Sequence, residues 1–224
     1  IRQAKNQYLL LTDADCEAVS DNWISKMMQH FDSETEMVLG IAPYHHTGTF
    51  LSKMVSYETT MTMIQYISYA LWGMPYMGVG RNIAYTKSLY EKVGGMKGHL
   101  DIISGDDDLF VQSARKQTHV AVCMEKDTFM YSQAPEDFKN WWSQKTRHYS
   151  TGGFYLWWQQ ILLGGFIITK WTTYLFFILL LALSSMNGFY IITFLLYLFI
   201  STLLVISLKE KLSIKMKWYE IFYM

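Results

Sequence analysis

Across 224 residues, 19 basic and 19 acidic side chains give a formal net charge of +0, so no cationic surplus is available to track a nucleic-acid backbone. Cys16 and Cys123 are the only cysteines, too few for a disulfide framework and in keeping with a reduced compartment. The length suits one domain plus an appendage, and charge divides the chain accordingly: between Arg147 and Lys209 the only Lys, Arg, Asp or Glu is Lys170.

In chain order, residues 8–12 read as a buried strand that delivers Asp13-Ala14-Asp15 at its C-terminal end, where open α/β sheets bind ligands. Two carboxylates so placed suit a hard divalent cation, Mg²⁺ or Mn²⁺, completed by ligand phosphates. Taken alone, such a pair is more often a helix cap or a solvated turn. Little chain precedes this strand, so the sequence reads as a fragment lacking an N-terminal portion. Ser20-Asp21 then caps a helix through Trp23, Ile24, Met27, Met28 and Phe31, whose helical spacing marks core. Residues 37–42 form a strand, and the adjacent His45 and His46 after it point apart in extended chain, which disfavours a shared metal. Residues 49–70 form a long helix rich in methionine and tyrosine, with Glu58 as its only acid. A methionine stripe of this kind is usually packing; a surface against a membrane or an acceptor path is the alternative.

Gly78-Val79-Gly80-Arg81-Asn82 precedes a strand at 83–85. Its glycines let backbone approach a ligand, with Arg81 and Asn82 facing phosphate or sugar hydroxyls, or else they make a plain turn. Residues 88–95 read as a short helix with a glycine stop. In Ser104-Gly105-Asp106-Asp107-Asp108-Leu109, neighbouring carboxyls repel, which raises the proton affinity of at least one if the group is partly buried. That is a usual mark of a general base or cation site, set against the plain reading of a helix start leading into 109–116. A strand at 120–124 carries Cys123 as packing. Further on, Gln144, Arg147 and His148 share one helical face at i, i+3 and i+4. The guanidinium suits bidentate bonds to a diphosphate; a basic membrane-surface helix is the alternative.

Residues 154–163 are aromatic, with Gln159-Gln160 ahead of Gly164-Gly165, and read as an interfacial helix or as the beginning of a first membrane span. Residues 171–183, extended by Phe166-Ile167-Ile168, and residues 189–208 each approach the ~20 apolar residues a bilayer core requires. A polar turn at 184–188 joins them. Lys139, Lys145 and Arg147 before the hairpin and Lys209, Lys211, Lys215 and Lys217 after it place both ends in the cytoplasm, with Lys170 snorkelling towards lipid headgroups.

The run Leu11-Thr12-Asp13-Ala14-Asp15-Cys16 resembles the D-x-D segment of family 2 glycosyltransferases. Gly80 to Tyr85 followed by Val93-Gly94-Gly95 resembles that family's stretch between donor and acceptor sites. Gly105-Asp106-Asp107-Asp108-Leu109 resembles its E-D-x-D-L segment, and Gln144-x-x-Arg147-His148 its Q-x-x-R-W helix. The resemblance covers roughly residues 7–155, and the hairpin fits the membrane-bound members.

It implies an α/β fold of GT-A type, a Rossmann-like mixed sheet flanked by helices, over residues 1–150. Residues 151–224 would then supply an interfacial helix, two transmembrane helices and a basic cytoplasmic tail. It also implies an inverting transfer from a nucleotide-sugar donor, a UDP-sugar, to a glycan or lipid-linked acceptor, with Mg²⁺ or Mn²⁺. Carried over by position, Asp15 is the main metal ligand with Asp13, which also lies near the nucleotide; Asp106 is the base; Gln144 and Arg147 hold diphosphate or acceptor. Gly80, Arg81, Asn82, Asp107 and His148 complete the substrate-binding set. Two departures stand out. Gly105 replaces glutamate, which brings in Asp107 to share or replace the role of Asp106, and His148 replaces a sugar-stacking tryptophan, which weakens the case for processive extension. A membrane-anchored scaffold and an inactive transferase remain as rivals; a transport role is disfavoured because the second span holds no ionisable groups.

Overall fold

Alternation of side chains along four short strands sets the architecture. In this computed structural model, which describes residues 1, 3–45, 47–95, 105–183 and 188–211 (the side chains of Asp106 and Lys209 excepted), β1 is Tyr8–Leu11, β3 Thr35–Leu39, β5 Ile83–Thr86 and β6 His119–Val122. The sheet order is β1-β5-β3-β6. β5 runs antiparallel to both neighbours, with Leu10 opposite Ala84 and Met37 opposite Tyr85, while β3 and β6 are parallel with Val38 opposite Ala121. Successive residues face opposite sides. Leu9, Leu11, Met37, Leu39, Ile83, Tyr85 and Val120 pack on one face, and Leu10, Val38, Ala84 and Ala121 on the other.

The second face is covered by α1, Trp23–Met28, through Trp23, Met27 and Met28. The first carries the main core, built by α2 (Phe50–Leu71), α3 (Lys87–Lys92) and α4 (Asp106–Ala114). Each large apolar side chain buried there contributes about 1.5–3 kcal/mol. α2 starts at Thr49, whose hydroxyl accepts the Ser52 N–H at 3.1 Å. Its Tyr66 is fully buried and donates to the Gly40 carbonyl at 2.7 Å, which locks α2 across the sheet. α3 is capped by Thr86 and stops at Gly94 and Gly95, both at positive φ. A mixed sheet flanked by helices is the expected α/β architecture.

A second, small sheet escaped the sequence reading. Its order is β2-β7-β4, from Glu17–Ala18, Met130–Gln133 and Tyr44–His45. It lies beyond the C-terminal ends of β1 and β3 and bridges the segments that follow them. α5 is Phe138–Tyr149, capped by Asp137.

The separate interfacial helix at 154–163 is corrected. After a short 3-10 turn, Gly152–Phe154, residues Trp157–Leu183 form one continuous helix, α6. The alternative reading, in which these residues begin the first long apolar helix, is the one found. Gly164 and Gly165 do not interrupt it. α7, Gly188–Lys211, packs against α6 through Phe177 stacked on Phe194, ring centroids 3.7 Å apart. Along their most apolar stretches α6 has no buried residue and α7 hardly any, so neither is a core helix. Ser104, His46, most of the turn between the two helices, and Lys215 and Lys217 lie outside the described residues.

Candidate active site

The segment after β1, the turn before β5, the head of α4 and one face of α5 converge on a single cleft of about 1620 Å³. Asp13, Asp15, Gly80, Arg81, Gly105, Asp107, Asp108, Gln144, Lys145, Arg147 and His148 all line it. It continues along α2, past Glu58, Thr62, Gln65 and Tyr69, and reaches Lys170, Thr173 and Tyr174 on α6 and Tyr197 and Ser201 on α7.

The head of α4 is made by a glycine. Gly105 has φ +87°, a conformation that other residues resist, and a Cβ there would stand 2.3 Å from Thr151 Cγ2. The glutamate usual in the resembling motif therefore has no room, and the helix begins at Asp106 itself. Asp106 lies between two cleft-lining neighbours; its side chain is outside the described residues. Asp107 accepts the Gly80 N–H at 2.7 Å through Oδ2 and the Asp108 N–H at 2.9 Å through Oδ1. That carboxylate ties α4 to the turn before β5.

Asp108 faces inward. Tyr155 donates to its Oδ2 at 2.7 Å, the Thr151 hydroxyl, which donates to the His148 carbonyl at 2.7 Å, stands 3.5 Å from the same oxygen, and Oδ1 is buried without a hydrogen bond. Burial, and then the charge of Asp107, push this carboxyl far above the usual carboxylate range, with the Tyr155 bond opposing. The neutral acid is the form that such a site tolerates, because an uncompensated buried charge is costly. One turn on, Gln112 donates to the Tyr76 carbonyl and to Gln159 Oε1, both at 2.8 Å, and Gln159 returns a bond at 3.2 Å. α4 is thus clamped to the first turn of α6.

α5 is seated on α2 by Glu58, which pairs with Lys145 at 2.6 Å and accepts from Trp141 Nε1 at 3.3 Å. Gln144 donates to the Tyr44 hydroxyl at 3.1 Å. The Arg81 guanidinium lies 4.3 Å from the centroid of the same ring and donates to Ser132. The small sheet thereby joins Gln144 and Arg81 through one tyrosine. Arg147 has no ion-pair partner among the described residues and faces the cleft. His148 is pushed well below its ordinary value by desolvation and by Lys145, Arg147 and Arg81. Its ring is partly open to solvent, which tempers the desolvation. The three cations act in the same direction, so the imidazole is neutral at pH 7.

Asn82 is not on the cleft wall. It is fully buried, donating to the carbonyls of Ile41 at 2.9 Å and Thr128 at 2.7 Å and accepting from Trp23 Nε1 at 3.0 Å. The expected ligand contact is corrected to a supporting one: with its amide consumed, Asn82 holds the turn beneath Arg81.

Asp13 and Asp15 are exposed, and their oxygens lie with Cys16 Sγ within 4.8 Å of one another. Two open carboxylates with space for phosphate oxygens and water fit a hard divalent cation. Tyr44, Glu58, Thr151, Tyr155 and Gln159 were missed by sequence reasoning. Glu58 is the only acid in its helix and Gln159 stands in an apolar run, and both could have been found; nothing marks Tyr44.

No curated protein matches the chain. The family model described as glycosyl transferase family group 2 matches residues 8–206, from β1 to near the end of α7. The chain that builds this cleft belongs to that family and is a glycosyltransferase.

Proposed function

We propose that the protein moves a sugar from a nucleotide diphosphate donor, a UDP-sugar, to a hydroxyl of a glycan or lipid-linked acceptor, with inversion, at the cytoplasmic face of a membrane. The observation that carries this reading is the continuity of the cleft. It runs from the Asp13–Asp15 carboxylates, past Arg81 and Arg147, to the flanks of two exposed apolar helices. An anionic donor suits the first part, and an acceptor delivered along α2 or from lipid suits the second.

The family is generally associated with a divalent metal, and Asp15 with Asp13 would hold Mg²⁺ or Mn²⁺. Bound there, the ion would offset charge on the donor diphosphate. Arg147, free of ion pairs among the described residues, grips the departing diphosphate, with Gln144 beside it. Asp106 takes the acceptor hydroxyl's proton as that oxygen bonds to the anomeric carbon and the bond to the diphosphate breaks. Both oxygens of Asp107 are engaged by backbone N–H groups, so it serves first to fix the base's helix and is the nearest substitute for it. Neutral His148 exchanges hydrogen bonds with a sugar hydroxyl without adding charge.

The test is UDP or GDP release from membranes holding the full-length parent, over a panel of nucleotide sugars with Mg²⁺ or Mn²⁺ and an acceptor extract. Release from one donor, lost with chelator and lowered about 10²–10⁴-fold in Asp106→Asn with donor binding kept, is expected. Normal turnover in Asp106→Asn with loss in Asp107→Asn would move the base to Asp107. No release from any donor would overturn the reading.

A further inference from the structure

We propose that His30, Cys123 and Glu125 form a zinc site on the α1 face of the sheet, remote from the cleft. None of the three lines the cleft, and Cys123 packs with the α1 cluster on the opposite face from α2 and α4. Their donor atoms lie within 4.8 Å of one another, with His30 Nε2 3.9 Å from Glu125 Oε1. Tetrahedral zinc places such ligands about 3.3–3.7 Å apart, so closure needs about an ångström of side-chain movement. His30 Nε2 is buried with no hydrogen-bond partner, which a buried imidazole nitrogen rarely tolerates. A nitrogen, a sulfur and one carboxylate oxygen make a donor set that favours zinc over Mg²⁺ or Ca²⁺.

Thr128 donates to the Glu125 carbonyl at 2.7 Å, so in its contact with Cys123 Sγ at 3.2 Å the thiol donates, and metal binding would replace that bond. Lys26 occupies only the outer oxygen, Glu125 Oε2 at 2.7 Å, and reaches Asp127 at 2.8 Å. It leaves Oε1 to the histidine. Glu125 and Asp127 already set two carboxylates against the one ammonium of Lys26. Water completes the shell. The ion would staple the end of α1 to the loop after β6, whose Thr128 carbonyl supports Asn82 beneath Arg81.

The test uses the full chain in detergent, stripped by chelator and reloaded with Zn²⁺ or Co²⁺ alone. One equivalent of zinc should survive gel filtration, and cobalt should give a near-ultraviolet thiolate charge-transfer band. Cys123→Ser removes the band; His30→Gln and Glu125→Gln weaken zinc at least about tenfold. Zinc raises Tm in the unmutated chain but not in Glu125→Gln. Asp15→Ala keeps the cobalt band, which separates this site from the cleft. If Cys123→Ser does not fold, Glu125→Gln carries the test, because its side chain is 45% exposed. Absence of the cobalt band in the folded protein, or equal zinc affinity in all variants, overturns the proposal.

Discussion

His148 shows how a residue's neighbours decide its chemistry. Unfolded, its imidazole titrates near the usual ~6.5; folded, desolvation and three cations hold it lower. Between those values the unfolded chain binds the extra proton, so stability falls as pH drops from about 6.5 towards the folded value. His148→Gln should flatten that part of the stability–pH curve, read by thermal or denaturant unfolding from pH 4 to 7. At this scale the cleft carboxylates and arginines were legible, because charged residues clustered at a strand end or on one helical face have few other uses. Asn82 was not. Its amide looks the same in sequence whether it meets a ligand or the carbonyls of Ile41 and Thr128, which lie far away in the chain.

Among the elements, α4 carries the most tension. Its inward carboxyl, Asp108, has a folded pKa above its unfolded one. Its contribution to stability is therefore present at acid pH and lost as pH rises from about 4 through the folded value, by at most about 1.4 kcal/mol per unit. Asp108→Asn, which keeps the shape and cannot ionise, should remove this alkaline loss; an unchanged slope would show the group ionised in the fold. The start of α4 was misread at Leu109 because a lone glycine does not announce a left-handed residue. The two-residue strands of the small sheet are too short to show any periodicity. α6 runs through Gly164-Gly165 although each glycine costs about 1 kcal/mol in a helix. In an apolar setting a broken helix would strand backbone groups, which costs more.

For the whole molecule, the compositional break near residue 150 is not a break in packing. Tyr155 bonds Asp108, Gln159 bonds Gln112, and Tyr57 of α2 packs against Val205 and Ile206 of α7. A chain ended at residue 150 should lose these partners, leave Asp108 without its donor, and digest faster under limited proteolysis than the full chain. Equal protease resistance would show the hairpin to be a passive anchor. The pair of long apolar helices was legible from length and composition alone. Its grip on α2 was not, because a helix apolar on most sides does not reveal which side meets what.

The contact between Gly105 and Thr151 reaches beyond this chain. A Cβ at 105 and the methyl at 151 compete for the same space. Relatives with glutamate at the first of these positions should carry a smaller residue at the second, or a displaced chain there. The pair should then covary across an alignment as one unit of inheritance, although the two positions lie on opposite sides of the compositional break.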